Sequence, residues 1–130
     1  MSESRKSVLI VDDEASIRQS FTDYFEDRLW RTSWAESGEQ ALEILEKESP
    51  DATIVDIRLG GMDGDTFIRE ACRNNCKMVF VICTGSPEYI IPADLQKMNG
   101  VSHHLFRKPV TDMDEIEKEL LRSIQNIDMD

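Results

Sequence analysis

Four positions in this chain carry side chains that could do chemistry, and each directly follows a short segment with the pattern of a strand. The acidic pair Asp12 and Asp13 follows the first run, and Asp56 follows the second. Thr84 and Lys108 follow the third and the fourth. Carboxylate oxygens are the ligands that Mg²⁺ prefers, with Mn²⁺ as an alternative, while a hydroxyl and an ammonium group bind phosphoryl oxygens. These residue types predict a site for one divalent cation and one phosphoryl group.

The apolar runs must bring these positions together in the fold. These strand patterns cover residues 8–11, 52–55, 78–83 and 105–107, of which the last ends on the charged Arg107, and a further strand pattern covers 31–35. Segments with the apolar spacing of helices alternate with them, which is typical of a parallel sheet with helices on both faces. In such a sheet, ligands bind at the carboxyl ends of the strands. We therefore expect the four polar positions to meet at one edge of the sheet.

The helices are predicted from apolar spacing and from residues that begin or end helices. Asp65 is predicted to cap the helix that follows Gly64. Two prolines, Pro87 and Pro92, limit the next helix to a short piece within 92–98. Five strands and five helices fill the 130 residues. We therefore predict one domain over residues 1–130, with its core over about 6–125 and short terminal tails.

Asp56 is the candidate nucleophile, because a carboxylate oxygen can take up a phosphoryl group. Asp12 and Asp13 converge on it if the first and third strands are neighbours. Like charges ~4 Å apart repel by ~4 kcal/mol at an effective dielectric constant of about 20, so such a cluster must bind a proton or a cation. Lys108 and a metal ion can offset the roughly two negative charges of an arriving phosphoryl group.

The composition excludes several other classes of protein. The formal net charge is −11, from 26 acidic and 15 basic residues. A nucleic-acid-binding domain needs a basic face, so we expect no direct binding to nucleic acid. No apolar run approaches the ~18 residues of a membrane span, and residues 1–6 lack the apolar stretch of a signal peptide. We therefore expect a cytoplasmic protein that does not associate with a membrane.

The three cysteines are interpreted as reduced thiols. Cys83 lies in an apolar run and is predicted to be a small buried residue. Cys72 and Cys76 are four residues apart and could share a helix face. Together with His103 and His104 they could form a zinc site, but nothing in the sequence places these histidines near them. Reduced thiols in a cytosolic protein are therefore the preferred interpretation.

Taken in order along the chain, these motifs resemble those of the response-regulator receiver domains of two-component signalling. The matching segments are VLIVDDE at 8–14, DIRLGGMDG at 56–64, TGS at 84–86 and KP at 108–109. The resemblance spans almost the whole chain and, in this order, is highly specific. It implies a flavodoxin-like, doubly wound α/β fold, in which a five-stranded parallel sheet has the order 2-1-3-4-5 and is flanked by five helices.

The resemblance also implies a function in phosphorelay signal transduction. The chain would be a phosphoprotein that receives its phosphoryl group from a sensor histidine kinase or a histidine phosphotransfer protein. It would then change conformation and act on a downstream effector protein, as a monomer or as a phosphorylation-dependent homodimer. Slow self-dephosphorylation is compatible with this function, but turnover as an enzyme is not expected.

The resemblance assigns roles to the site residues. Asp56 would carry the phosphoryl group as an aspartyl phosphate, and Thr84 and Lys108 would bind its oxygens. Asp13 and Asp56 would hold Mg²⁺ directly, together with the backbone carbonyl of Arg58. Asp12 would act mainly through a water molecule bound to the metal.

Two groups of residues would transmit or modulate the signal. One group departs from the usual family pattern at the switch position, and the other lies next to the phosphorylation site. Leu105 stands where many receivers carry a tyrosine or phenylalanine that acts as a rotamer switch, so His104 or Phe106 could take that role. Arg58 and Ser86 lie two residues past Asp56 and Thr84. We hypothesise that Arg58 affects how readily water reaches the acyl phosphate.

Three alternatives to a separate receiver domain are compatible with parts of the sequence. The chain could be the receiver part of a longer multidomain regulator or hybrid kinase. It could be a Mg²⁺-dependent phosphohydrolase, but such an enzyme needs a second acid, and the suitable position two residues past Asp56 is Arg58. It could be a scaffold that is never phosphorylated, although the complete set of acids, Thr84 and Lys108 argues against this.

Overall fold

A computed structural model describes residues 5–74 and 77–128. It contains one five-stranded parallel sheet with the order β2-β1-β3-β4-β5. The strands are β1 (Ser7–Val11), β2 (Arg31–Ala35), β3 (Ala52–Val55), β4 (Val79–Thr84) and β5 (Phe106–Arg107). The helices are α1 (Ala15–Asp27), α2 (Gly38–Leu45), α3 (Gly64–Asn74), α4 (Ala93–Gln96) and α5 (Met113–Asp128). The predicted fold class, strand order and number of elements are confirmed.

The burial of the strands explains their order. β3 and β4 consist entirely of buried residues, as expected for strands covered by helices on both faces. The edge strand β2 is only partly buried, and its Trp34 is 48% exposed. The other edge strand, β5, contains two residues. The long apolar runs of the sequence therefore occupy the interior of the sheet.

Two apolar cores lie on the two faces of the sheet. One contains Val11, Val55 and Phe80 together with residues of α2, α3 and α4. The other contains Ile10, Val81 and residues of α1 and α5. Successive strand residues point to opposite faces, so each interior strand contributes side chains to both cores.

One detail of the helices differs from the sequence-based expectations, the residue that caps α3. The cap of α3 is Asp63, whose Oδ1 accepts a hydrogen bond from the backbone N–H of Thr66 at 2.9 Å. The expected cap, Asp65, lies inside the helix and accepts a hydrogen bond from Tyr89 instead. The helix starts one residue before Asp65, which places the unpaired N–H groups of its first turn beside Asp63. The predicted short α4 is confirmed.

Both cysteines that the structure describes are buried. Cys83 is buried, and burial raises the pKa of its thiol to about 12. Cys72 is also buried, and Cys76 lies outside the described residues.

In the part of the chain that the structure describes, no helix is both long enough and apolar enough to cross a bilayer.

Candidate functional site

The register of the sheet places the acidic residues together. β1 and β3 are parallel neighbours in which Val11 pairs with Val55. The next residue on each strand is Asp12 or Asp56, and the backbone N–H of Asp56 donates to the carbonyl of Val11 at 2.9 Å. The expectation that the first and third strands are neighbours is therefore confirmed.

The carboxylates of Asp12, Asp13 and Asp56 form the candidate metal site. One oxygen from each of them lies within 4.8 Å of the others. Asp12 and Asp56 are buried, whereas Asp13 is exposed. Within residues 5–74 and 77–128, no other group of three acidic, histidine or cysteine residues is placed in this way. An all-oxygen donor set that is partly open to solvent suits Mg²⁺, which usually keeps several waters.

Lys108 lies between the two buried carboxylates. Its Nζ is 2.8 Å from Oδ2 of Asp12 and 3.1 Å from Oδ2 of Asp56. It also lies 3.9 Å from Oε2 of Glu14, a residue that the sequence analysis did not assign to the site. Only 13% of the lysine side chain is exposed. The ammonium group therefore balances charge that burial would otherwise make costly.

Burial and ion pairing act in opposite directions on the protonation of these groups. For Asp56, burial raises the pKa, and the neighbouring Asp12 adds to this, while hydrogen bonding to Lys108 works against it. The net pKa of Asp56 is raised. For Lys108, burial lowers the pKa, but hydrogen bonds to Asp12 and Asp56 outweigh that effect and raise it overall. Lys108 therefore remains a cation at neutral pH.

Thr84 ends β4 at the same edge of the sheet and is fully buried. Its Oγ1 accepts a hydrogen bond from the backbone N–H of Ser86 at 3.1 Å. Its backbone carbonyl accepts one from the N–H of Lys108 at 2.9 Å. The carboxyl ends of β1, β3, β4 and β5 thus carry all four of the predicted polar positions.

Two arginines contact the acidic residues, Arg58 with its backbone N–H and Arg18 with its side chain. The N–H of Arg58 donates to Oδ1 of Asp56 at 3.2 Å, and its side chain is exposed. Nη1 of Arg18 donates to the backbone carbonyl of Asp12 at 3.0 Å, and its guanidinium lies 4.5 Å from the centre of the Trp34 ring. Arg18 was missed by the sequence analysis.

The three candidates for the switch position are divided between the two faces of the sheet. Leu105 is partly buried against the core formed with α2, α3 and α4, which also includes Tyr89. Phe106 packs against the opposite core, and the exposed His104 stacks on it with ring centres 4.1 Å apart. Of these three residues, Leu105 is the one that shares a core with the segment after Thr84.

Glu119 is a buried carboxylate of α5 that lies close to His104. It accepts hydrogen bonds from the Ser102 hydroxyl and from Arg122, and His104 Nδ1 lies 3.9 Å from it. Burial acts to raise the pKa of Glu119, but the bonds from Ser102 and Arg122 outweigh it and hold the pKa below its usual value. Such a carboxylate stabilises the fold above its unfolded pKa, and that contribution is lost as the pH falls through the folded pKa.

We predict that Glu119→Gln lowers the free energy of unfolding by about 1–3 kcal/mol at pH 7, because the ionised carboxylate accepts stronger hydrogen bonds than an amide. The difference from wild type should shrink below about pH 4.5, where the carboxylate of the unfolded chain begins to protonate, and should be lost as the pH falls through the lower pKa of the folded protein. Urea unfolding from pH 7 to pH 3 measures this. Glu115→Gln, on an exposed face of the same helix, is the matched control. A difference that is constant across this pH range would contradict the prediction.

Comparisons with known proteins agree with this geometry. The family model described as the response regulator receiver domain matches residues 8–120. The chain belongs to this family, whose members accept a phosphoryl group on an aspartate in two-component systems. Sporulation initiation phosphotransferase F of Bacillus subtilis is 32% identical over 111 residues, covering 85% of this chain and 87% of that protein. Protein-glutamate methylesterase/protein-glutamine glutaminase 2 of Oleidesulfovibrio alaskensis is 32% identical over 104 residues, covering 78% of this chain but 29% of that protein.

Solved structures show the same fold. A response regulator receiver domain from Clostridium thermocellum superposes with a TM-score of 0.81 at 25% identity, covering 95% of this chain and 98% of that one. The signal receiver domain of an HD domain-containing protein from Pseudomonas fluorescens superposes with a TM-score of 0.82 at 22% identity, covering 98% and 100%. The predicted receiver fold and family are therefore confirmed.

Proposed function

We propose that Asp56 is the phosphoryl acceptor of this receiver domain and that phosphorylation with Mg²⁺ switches its conformation and its binding to an effector. The observation that carries the proposal is the placement of Lys108 between Asp12 and Asp56, in contact with both carboxylates. A buried cation at this point is suited to bind a phosphoryl oxygen once Asp56 is modified.

In the proposed reaction, one carboxylate oxygen of Asp56 attacks the phosphorus of a partner's phosphohistidine. The P–N bond breaks, and the imidazole nitrogen keeps its electron pair. Lys108 then pairs with a phosphoryl oxygen, and the Thr84 hydroxyl donates to another. Phosphorylation makes the site more negative by about one charge, because the phosphoryl group brings roughly two negative charges while the Asp56 carboxylate loses one as the bond forms. Lys108 keeps an anionic partner, since a phosphoryl oxygen takes the place of the carboxylate.

The acidic cluster fits a divalent cation. Asp12, Asp13 and Asp56 would hold it, and the backbone carbonyl of Arg58 is the further ligand implied by the family resemblance. Bound Mg²⁺ would offset the negative charge of the phosphoryl oxygens. The fit rests on the three carboxylate oxygens within 4.8 Å and on the exposure of Asp13, which leaves one side of the cluster accessible.

The proposed partners are a sensor histidine kinase or a histidine phosphotransfer protein, and a downstream effector. A relay of the phosphoryl group to a second histidine is supported by the name of the Bacillus subtilis relative, which is a phosphotransferase. We expect slow self-dephosphorylation rather than turnover. Arg58, which stands two residues past Asp56, has no carboxyl group with which to activate a water molecule.

We expect a single phosphoryl adduct on the wild-type protein after incubation with acetyl phosphate and Mg²⁺, measured by intact-protein mass spectrometry. The adduct should be absent when EDTA is present throughout the reaction, because the acidic cluster then lacks its cation. Asp56→Asn should prevent it, whereas Asp51→Asn, a carboxylate before β3 that bonds to Ser7, should leave it unchanged. An adduct that persists in Asp56→Asn would overturn the assignment.

A further inference from the structure

The β4–α4 loop, residues 85–92, is held by an arginine on the neighbouring edge strand. Nη1 of Arg107 donates to the backbone carbonyl of Ser86. Nη2 of the same guanidinium donates to the carbonyl of Tyr89 at 3.1 Å. Arg107 thus contacts the loop at two points that are three residues apart. Both acceptors are backbone atoms, so the contact depends on the position of the loop rather than on its side chains.

The loop is in turn connected to the Thr84 hydroxyl. The N–H of Ser86 donates to Thr84 Oγ1, while Arg107 binds the carbonyl of the same Ser86. Thr84 and Arg107 are also partners in the register of β4 and β5. A displacement of the Thr84 side chain must therefore either break the bond to Ser86 or carry Ser86 with it. Carrying Ser86 would pull its carbonyl away from Arg107.

We propose that Arg107 is a positioning residue that acts on Thr84 through Ser86 and opposes the phosphorylated conformation. The proposal rests on the proposed function, in which the Thr84 hydroxyl moves to a phosphoryl oxygen on Asp56. Hydrogen bonds from a charged guanidinium are stronger than those between neutral groups. If they form only in the unphosphorylated state, they reduce the population of the competent state and weaken the apparent affinity for any ligand that requires it.

Removal of the guanidinium should therefore tighten the binding of a phosphoryl analogue. We expect Arg107→Met to bind beryllium fluoride, with Mg²⁺ held in excess, about three- to tenfold more tightly than wild type. Arg107→Lys keeps the charge but cannot reach both carbonyls with one planar group, so we expect an intermediate affinity. The loop keeps a second anchor in both variants, because the Tyr89 hydroxyl donates to Asp65 at 2.6 Å.

The experiment is a titration of beryllium fluoride followed by ¹⁹F NMR of the bound species, on wild type, both Arg107 variants and Arg73→Met. Arg73 is an exposed arginine of α3 that pairs with Glu70, so its variant removes the same charge away from the loop and should match wild type. Equal affinity of Arg107→Met and wild type, or weaker binding by the variant, would overturn the inference. A general loss of stability would not tighten binding.

Hydrogen exchange without any phosphoryl analogue separates this inference from the proposed function. Backbone N–H groups of the β4–α4 loop should exchange faster in Arg107→Met than in wild type if the guanidinium holds the loop. A wild-type protein that fails to bind beryllium fluoride would overturn the proposed function. Wild-type binding with unchanged exchange in the variant would overturn the role of Arg107 alone.

Discussion

Replacing Lys108 with methionine is expected to lower the free energy of unfolding by about 3 kcal/mol at pH 7 without Mg²⁺. The substitution keeps an unbranched apolar side chain but removes the cation that contacts two buried carboxylates. Asp12 and Asp56 would then face each other without a counter-charge inside a poorly solvated site. Urea unfolding of wild type and variant in the presence of EDTA measures the difference.

Two controls distinguish this effect from a general loss of charge. Lys118→Met removes an exposed lysine of α5 and should change the unfolding free energy by less than about 0.5 kcal/mol. Asp12→Asn should cost less than Lys108→Met, because Lys108 would still pair with Asp56. A cost below about 1 kcal/mol for Lys108→Met would show that the ammonium group does not offset the buried charges.

The same variant should respond more strongly to added cation. In wild type, a cation bound by the cluster of Asp12, Asp13 and Asp56 would compete with Lys108 for the carboxylates of Asp12 and Asp56. Without the lysine there is no such competitor, so Mg²⁺ should raise the unfolding midpoint further in Lys108→Met than in wild type. A smaller increase in the variant would mean that Lys108 does not compete for these oxygens.

Substitution of Gly64 by alanine should destabilise the protein by about 3 kcal/mol. A Cβ atom at this position would lie 2.5 Å from the backbone carbonyl oxygen of Asp56 and 2.8 Å from Cα of Ile57. Both atoms belong to the backbone, so the clash can be relieved only by moving the start of α3 or the segment that carries Asp56. Denaturant unfolding of the variant measures the cost.

Gly60→Ala is the matched control for Gly64→Ala, because it lies in the same connection and a Cβ there would meet nothing within 4 Å. We expect its unfolding free energy to lie within about 1 kcal/mol of wild type, since alanine also restricts the unfolded chain. Mg²⁺ affinity should fall in Gly64→Ala and stay unchanged in Gly60→Ala. Equal stability of the two variants would contradict the steric argument.

Periodicity and residue type allowed much of this protein to be predicted from its sequence. The apolar runs at 52–55 and 78–83 form strands whose residues are all buried. Runs such as these, with at most one polar residue, have no polar face to expose, so we expect them in the interior of a sheet. In a parallel sheet, the residues after such strands share one edge. The grouping of Asp12, Asp56, Thr84 and Lys108 followed from this rule.

Contacts between segments that are distant in the chain could not be predicted from local sequence patterns. Whether Asp63 or Asp65 caps α3 depends on where the helix starts, and its first residue, Gly64, packs against the backbone of Asp56, a residue in a different segment. The burial of Glu119 was missed because charged residues in a helix are usually exposed. Its contact with Ser102 forms only when α5 packs against β4, to which the Ser102 backbone is hydrogen-bonded.

The sequence by itself determined a parallel α/β fold with a set of polar residues at one edge of its sheet, because strand ends and residue types are local properties. The strand order was implied by the resemblance of the ordered motifs to receiver domains. The tertiary structure alone decided that Lys108 contacts two carboxylates, that Leu105 and Phe106 face opposite cores, and that Arg107 holds the loop after Thr84. These contacts join residues far apart in the chain. Their distances depend on how helices and strands pack, which no single segment specifies.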